Sequence, residues 1–308
     1  MSKKKLVLVG PPETGKTTIK KVIFSGADPI KLLEEPLIPT RGLEPSLHSW
    51  LDLELGVFDS PGQEIRKLLE DEKVQLKTFG DANVVIYLID FKRWQDKEAD
   101  FLQQIKIIKQ ILKKNTKNAN LAIFFHKIDQ LPEDSREDQI ESIREKISEQ
   151  FEIPIYFTSI YPNLIYNLYS AFYDVLGNLS EDTANIKEIL DKKITDKSQT
   201  MIFVTNEKDN IVVQTTNRDF EFGLINYIHE MIGQLTGTLK EMKADDEIEH
   251  FTLQTANEFN IILKDISHSK HNLQNVVCIS GDMNANKLIF MVGKLSREIY
   301  NYYYKNKK

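Results

Sequence analysis

The sequence has one cysteine and no apolar run long enough for a membrane. Cys278 has no partner for an internal disulfide and provides no cysteine-rich metal site, as is typical of the reducing cytosol. No stretch reaches the roughly 18 apolar residues that cross a bilayer, and neither terminus carries an acylation or prenylation signature. We expect a cytoplasmic protein with no intrinsic membrane anchor, recruited to a membrane surface only through a partner.

A basic excess is lacking as well. The 40 basic and 46 acidic residues give a net charge of −6. Proteins that bind nucleic acids usually show a basic half or face, so we expect no nucleic-acid partner. The apolar share of 41% and the charged share of 28% are those of a globular protein, and 308 residues favour two domains.

Short apolar runs alternate with helical patterns in the first part of the chain. The runs predicted as strands are residues 6–9, 53–58, 84–89, 121–125 and 155–157. Between them, apolar residues recur at helical spacing, for example at Ile140, Ile143 and Ile147. This alternation predicts a mainly parallel sheet with helices on both faces.

A polar segment at residues 177–183 separates a second part with a different order of elements. The predicted elements are a helix at 185–193, strands at 201–205 and 211–215, a helix at 224–239, and strands at 248–254, 259–266 and 275–280. A last helix is predicted to bury Ile289, Val292, Leu295 and Ile299. This order predicts an antiparallel sheet with helices packed against it.

Residues 10–17, G-P-P-E-T-G-K-T, follow the first strand and match G-x-x-x-x-G-K-[ST]. In this motif the loop amides hold phosphate oxygens, Lys16 reaches the β and γ phosphates, and the Thr17 hydroxyl ligates Mg²⁺. Pro11 and Pro12 donate no backbone hydrogen bond, and Glu13 must turn its carboxylate outward. We therefore expect modest nucleotide affinity.

Residues 59–63, D-S-P-G-Q, follow the strand at 53–58. Asp59 is suited to hold Mg²⁺ through water, the Gly62 amide to meet a γ phosphate, and Gln63 to orient the attacking water. The pattern D-x-x-G by itself also fits a plain strand-to-turn junction. It becomes informative because a phosphate loop precedes it.

Residues 126–129, H-K-I-D, follow the strand at 121–125. The Asp129 carboxylate can accept from N1–H and the 2-amino group of guanine, whereas adenine would leave an unpaired acceptor at a cost of about 1 to 3 kcal/mol per lost bond. Guanine is therefore the predicted base, and residues 158–160 fall where a backbone amide could meet its O6 atom. For His126 and Lys127 the alternative interpretation is a solvated strand end.

These four segments, in this order, resemble those of the Ras-like small GTPases. H-K-x-D in place of N-K-x-D, D-x-P-G-Q, and T-S-I-Y at residues 158–161 resemble the Rag/Gtr GTPases, closer to the RagC/RagD side. The element order of the second part resembles the roadblock-like domain of that family. The implied fold is an α/β Ras-like P-loop GTPase domain with a mainly parallel sheet at 1–178, followed by an α+β roadblock/longin-like domain at 184–308.

The resemblance also implies a set of site residues. Nucleotide contacts are implied for Glu13, Thr14, Gly15, Lys16, Thr17, Thr18, Thr40, Gly62, His126, Lys127, Asp129, Ser159 and Ile160; Mg²⁺ contacts for Thr17, Thr40 and Asp59; and catalysis for Gln63. Thr40 resembles the switch I threonine that senses γ phosphate, although an ordinary loop threonine remains an alternative. Arg41 is better interpreted as a solvated loop charge than as an arginine finger.

The implied function is that of a molecular switch, which binds GTP and GDP with Mg²⁺ and hydrolyses GTP slowly. Dimerisation through the C-terminal domain is expected, as a homodimer or as a heterodimer with a related GTPase, with roadblock-type scaffold and regulatory proteins as partners. One alternative is a nucleotide-bound scaffold with negligible GTPase activity. Another is a P-loop kinase or ATPase, which the guanine motif disfavours.

Overall fold

The computed structural model describes residues 2–34, 44–60, 62, 65–116, 118–194, 199–208, 210–216, 250–255, 259–267 and 272–306. The chain divides into two compact units, residues 1–49 with 53–171 and residues 50–52 with 172–308. The helix predicted at 224–239 and the beginning of the strand predicted at 248–254 lie outside the described residues. The domain bounds 1–178 and 184–308 stay a prediction.

The first unit contains a six-stranded sheet in the order β2-β3-β1-β4-β5-β6. The strands are β1 (Ser2–Val9), β2 (Glu44–Trp50), β3 (Leu53–Asp59), β4 (Val84–Asp90), β5 (Asn120–His126) and β6 (Ile155–Thr158). All strands except β2 are joined by parallel pairings. This architecture confirms the predicted mainly parallel sheet. β2, at the edge beside β3, is a strand that the apolar pattern did not predict.

The helices of this part are α1 (Lys16–Ser25), α2 (Pro29–Glu34), α3 (Ile65–Glu70), α4 (Glu72–Phe79), α5 (Phe91–Asn115), α6 (Arg136–Ser148) and the first half of α7 (Ile165–Gly177), whose remaining residues belong to the second unit. The apolar stripes of the longer helices are buried, as Phe101, Ile105 and Ile108 of α5 illustrate, whereas Ile30 and Leu33 of the short α2 are exposed. The central strands are buried too, because helices cover both faces of a parallel sheet.

The parallel pairing fixes where the functional segments lie. Asp59 is in register with Leu8, the last residue but one of β1, while His126 is in register with Asp90 on one side and Thr158 on the other. The carboxyl ends of five strands therefore lie at one edge of the sheet. Open α/β sheets bind ligands at this edge.

The second unit contains a five-stranded sheet in the order β8-β7-β11-β10-β9. Its elements are α8 (Glu181–Asp191), β7 (Thr200–Asn206), β8 (Ile211–Thr216), β9 (His250–Gln254), β10 (Asn260–Asp265), β11 (Leu273–Ser280) and α9 (Ala285–Asn306). Every pairing in this sheet is antiparallel, which confirms the prediction. α8 begins before the predicted residue 185 because the Ser180 hydroxyl caps it, accepting from the Thr183 amide at 3.0 Å.

The buried stripe of α9 differs from the prediction at one position. Leu288, Val292, Leu295 and Ile299 are buried, whereas Ile289 is 42% exposed. The spacing of 4, 3 and 4 residues keeps the buried set on one helix face, and Ile289 lies about 100° around from Leu288. Near the end of α9, Tyr303 is buried and the Tyr302 hydroxyl donates to Asp182, as in a packed helix. No helix within the described ranges is long and apolar enough to cross a bilayer.

Candidate functional site

The phosphate loop joins β1 to α1 and depends on a glycine at its end. Gly15, the residue before α1, has φ of 90°, in the left-handed region that side chains disfavour. A Cβ atom there would lie 2.5 Å from Cδ2 of His126. The backbone conformation and the short distance to His126 therefore both require glycine here. The absence of a side chain lets the guanine motif pack directly against the loop.

Lys16 places a buried cation inside the phosphate loop. It is 6% exposed, and its Nζ atom donates to the carbonyl oxygens of Gly10 at 2.9 Å and Pro11 at 2.7 Å. Burial lowers the pKa of Lys16 to about 8, and the nearby Asp59 carboxylate opposes that shift. A phosphate would favour the charged ammonium, and the N-terminus of α1 favours an anion at the same place.

Thr17 and Asp59 bring two oxygen atoms together from a helix and a strand. The Thr17 hydroxyl, on α1, donates to Oδ2 of Asp59, at the end of β3, at 2.6 Å. A hydroxyl and a carboxylate are the hard oxygen donors that Mg²⁺ prefers, and Mg²⁺ commonly takes few protein ligands beside phosphates and waters. The pair therefore fits the predicted metal. Thr40, the third predicted ligand, lies outside the described residues.

The segment after Asp59 lies directly against the phosphate loop. The Ser60 amide donates to the carbonyl of Leu8 in β1 at 3.2 Å. A Cβ atom on Gly62 would lie 2.4 Å from Cα of Pro12, so any side chain at this position would collide with the loop. Gln63, the predicted catalytic residue, lies outside the described residues.

The predicted guanine contacts converge at the ends of β5 and β6. The Ser159 hydroxyl donates to Oδ1 of Asp129, and the Tyr161 amide donates to the Ser159 hydroxyl at 2.9 Å. Ser159 and Ile160 are buried. Asp129 is thereby oriented by a neighbour in the T-S-I-Y segment, as a carboxylate that reads a base must be.

His126 and Lys127 contact the phosphate loop from below. His126 is 2% exposed, so it is not a solvated strand end, and its Nδ1 atom lies 3.0 Å from the Thr158 hydroxyl. Burial lowers the pKa of His126 to about 3, which keeps the ring neutral. The Lys127 ammonium donates to the carbonyl of Glu13 at 2.5 Å and to Asp90 at 2.9 Å. That these two residues contact guanine itself stays a prediction.

Three predicted residues in or next to the phosphate loop remain, namely Thr14, Thr18 and Glu13. Thr14 is buried and its hydroxyl donates to the Pro11 carbonyl at 3.0 Å, while Thr18 is half-buried in the first turn of α1. The Glu13 side chain is exposed, as expected for a carboxylate that must avoid phosphate. The structure thus gathers the predicted residues that it describes on the loops of one sheet edge.

Two further residues contribute contacts that the sequence interpretation missed. Asp90, at the end of β4, pairs with Lys127 and also accepts from the Lys92 amide at 3.0 Å, which caps α5. Arg93, in the first turn of α5, donates to the Pro12 carbonyl and to the Glu13 carboxylate. The position of Asp90 at a strand end could have indicated its role. No pattern in the sequence distinguishes Arg93 from a surface cation.

The sequence model of the Gtr1/RagA G protein conserved region matches residues 5–235, which include every motif described above. The chain belongs to this family. The predicted resemblance to the Rag/Gtr GTPases is therefore confirmed.

This Gtr1/RagA family member is similar to GTP-binding proteins of several organisms. It is 23% identical to the GTP-binding protein GTR2 of Saccharomyces cerevisiae over 75% of this chain and 67% of the relative. It is 26% identical to the Ras-related GTP-binding protein A of Dictyostelium discoideum over 65% of this chain and 66% of the relative. It is 23% identical to the human Ras-related GTP-binding protein C over 70% of this chain and 53% of the relative. The matches thus span between about half and two thirds of the relatives' lengths.

Proposed function

We propose that this Gtr1/RagA family member is a guanine-nucleotide switch that binds GTP and GDP with Mg²⁺ and hydrolyses GTP slowly. The observation that carries the proposal is the convergence of Lys16, the Thr17–Asp59 pair and the Asp129–Ser159 pair at one sheet edge. A buried cation, a pair of hard oxygen ligands and an oriented carboxylate match a phosphate chain, a divalent cation and a guanine ring.

Each part of the site has a distinct task in this proposal. Lys16 and the loop amides bind the phosphates, and Asp129 accepts from the guanine edge. Thr17 and Asp59 hold Mg²⁺, which when bound neutralises charge on the β and γ phosphates. Lys127 and His126 support the loop from below, so that loop and base site keep their spacing.

Hydrolysis is assigned to Gln63, which would orient the attacking water. We expect it to be slow, because Pro11 and Pro12 remove two amide donors from the loop and no arginine finger is assigned in cis. The loops around residues 40 and 63 would change conformation when the γ phosphate is lost, and partner proteins would bind one of the two forms.

The alternative of a nucleotide-bound scaffold is favoured by one observation. Two consecutive prolines stand in the loop, and the carbonyls of both already accept hydrogen bonds, from Lys16 and Arg93. A loop fixed in this way suits retention of a nucleotide more than rapid turnover. In this version the second unit carries the function and the nucleotide stabilises the fold.

Dimerisation is proposed for the second unit, with a second copy of this chain or with a related GTPase. β8 and β9 are the outer strands of its described sheet, and outer strands, or the helices beside them, are common sites of association between like domains. Roadblock-type scaffold and regulatory proteins are the further partners that we propose. The proposed location is the cytoplasm, including membrane surfaces to which such partners recruit the protein.

Nucleotide analysis of the purified full-length protein tests the first proposal. After denaturation, chromatography of the released ligand should show GDP or GTP and little ADP or ATP, and chelation of Mg²⁺ should speed nucleotide loss. A single-turnover measurement with radiolabelled GTP then separates the two versions. Slow phosphate release supports the switch, whereas retained GTP without phosphate release supports the scaffold. Preference for adenine nucleotides would contradict both.

A further inference from the structure

Glu13 has a backbone conformation that residues other than glycine seldom adopt. Its φ is 63°, in the left-handed region, although it carries a Cβ atom. Such a conformation persists only where surrounding contacts hold it. The contacts around Glu13 should therefore decide whether the phosphate loop keeps its shape.

Two cations hold the carbonyl groups on this part of the loop. Lys127, from the guanine motif, donates to the carbonyl of Glu13 at 2.5 Å. Arg93 Nη1, from α5, donates to the carbonyl of Pro12 at 2.7 Å. Because Pro12 has no N–H group, its carbonyl is its only backbone atom that can form a hydrogen bond. The hydrogen bond from Arg93 to this carbonyl therefore holds the Pro12 backbone through its one polar backbone atom.

The same guanidinium also pairs with the acidic side chain of the loop. Arg93 Nη2 lies 2.5 Å from Oε2 of Glu13, with the two side chains 35% and 79% exposed. An unpaired carboxylate at this position would repel the phosphates of a nucleotide. Burial is the main cause of the lowered pKa of Lys16, and the Arg93 charge lowers this pKa further. The electrostatic field of Arg93 therefore reaches the phosphate-binding amine.

We propose that Arg93 is a positioning residue for nucleotide binding, which holds the phosphate loop through the Pro12 carbonyl and offsets the negative charge of Glu13. The inference rests on the proposed function, because the nucleotide retained by the loop is taken to be GDP or GTP. Arg93 lies outside all the family motifs, so its contact with the phosphate loop is additional to theirs. A single guanidinium performs both tasks because its two terminal nitrogens diverge in one plane.

The dissociation rate of GDP carrying a fluorescent methylanthraniloyl group tests the proposal on the full-length protein. Arg93→Gln should speed dissociation about tenfold, equivalent to about 1.4 kcal/mol. Lys92→Gln is the matched control, since it removes the same charge from the neighbouring exposed residue, and it should change the rate less than about twofold. An unchanged rate in Arg93→Gln, or an equal change in Lys92→Gln, would overturn the proposal.

The Glu13→Gln background separates the two tasks. If Arg93 offsets the Glu13 charge, adding Arg93→Gln to Glu13→Gln should speed dissociation only about threefold, because only the Pro12 contact remains to be lost. A role of Arg93 confined to the stability of α5 would give the same factor in both backgrounds. That outcome would refute the electrostatic part.

Hydrogen exchange in the nucleotide-free protein gives an answer that does not depend on the proposed function. The amides of residues 13–18 should exchange faster in Arg93→Gln than in Lys92→Gln, at unchanged melting temperature, and equal exchange would refute the hold on the loop. If wild type retains no guanine nucleotide, the proposed function is wrong while this measurement still decides the role of Arg93. If Arg93→Gln does not fold, Arg93→Met, which has neither a charge nor a hydrogen-bond donor, replaces it with the same outcomes.

Discussion

Asp129 is the residue on which the choice of base depends, since its carboxylate accepts the donors that guanine presents. We predict that Asp129→Asn shifts the preference from guanine to xanthine nucleotides, because an amide can donate to the C2 carbonyl of xanthine where a carboxylate cannot. Competition binding between GDP and xanthosine diphosphate measures the shift, which we expect to exceed about tenfold. The exposed Asp134, replaced by Asn, is the control. Retained guanine preference in Asp129→Asn would place the base elsewhere.

His126 should make the stability of the protein depend on pH. Burial lowers its pKa in the folded state to about 3, from the ordinary histidine value of 6.5, so between these values the unfolded chain binds more protons. The free energy of unfolding should therefore fall as the pH falls below 6.5. The contribution is about 1.4 kcal/mol per pH unit, or about 2 kcal/mol by pH 5.

Urea unfolding of the wild type and of His126→Asn at pH 7 and pH 5 measures this contribution. The loss of stability between the two pH values should be about 2 kcal/mol smaller in the variant. His250→Asn, at an exposed histidine, should behave like wild type. Equal losses in His126→Asn and wild type would show that another group causes the dependence.

At the scale of elements, the phosphate loop packs tightly against the end of β5, where His126 lies close to Gly15. We predict that Gly15→Ala weakens GDP binding more than about tenfold, because the new methyl group meets both an unfavourable φ and the His126 ring. Gly293→Ala, in α9, is the control, since nothing lies within 4 Å of its added Cβ atom. It should leave binding unchanged and raise stability by about 0.5 to 1 kcal/mol. Normal affinity in Gly15→Ala would disprove the tight packing.

The elements that could be predicted from the sequence are those with a strong local pattern. The buried strands β1, β4 and β5 have continuous apolar runs, and α5, α6 and α7 have regular apolar stripes. β2 could not be predicted in this way, because residues 44–50 include Pro45 and mostly polar side chains, and an edge strand tolerates both. Which of Leu288 and Ile289 is buried depends on how α9 is rotated against its sheet, which an apolar pattern leaves open.

The residues of the candidate site likewise divide into those that a local sequence pattern predicts and those that it does not. Motif residues such as Lys16 and Asp129 could be predicted, because their spacing from a strand end fixes their position. Arg93 could not, since its role depends on the distance between α5 and the phosphate loop in three dimensions, and its contacts with Pro12 and Glu13 span 81 and 80 residues of sequence. A contact across that separation leaves no trace in a local pattern.

At the scale of the whole molecule, association should reside in the second unit. We predict that the full-length protein forms dimers at high micromolar concentration, with twice the 35.7 kDa mass of one chain by light scattering. Hydrogen exchange in concentrated and dilute samples should show the added protection within residues 172–306. Protection confined to residues 2–171 would contradict the assignment, and a monomer at every concentration would rule out the homodimer.

The strand order of the second sheet has a consequence for how the protein is made. β7 and β11 are neighbours in the middle of that sheet, yet β11 ends at Ser280, whereas the last strand of the first sheet ends at Thr158. During synthesis all strands of the first sheet are complete before β11, the neighbour of β7 in the second sheet, has been made. At translation rates of roughly 5 to 20 residues per second, β7 waits on the order of ten seconds for β11. In that interval β7, which is buried along its whole length in the folded protein and apolar at residues 201–204, is available to chaperones or to a neighbouring nascent chain, so subunits could associate at the ribosome.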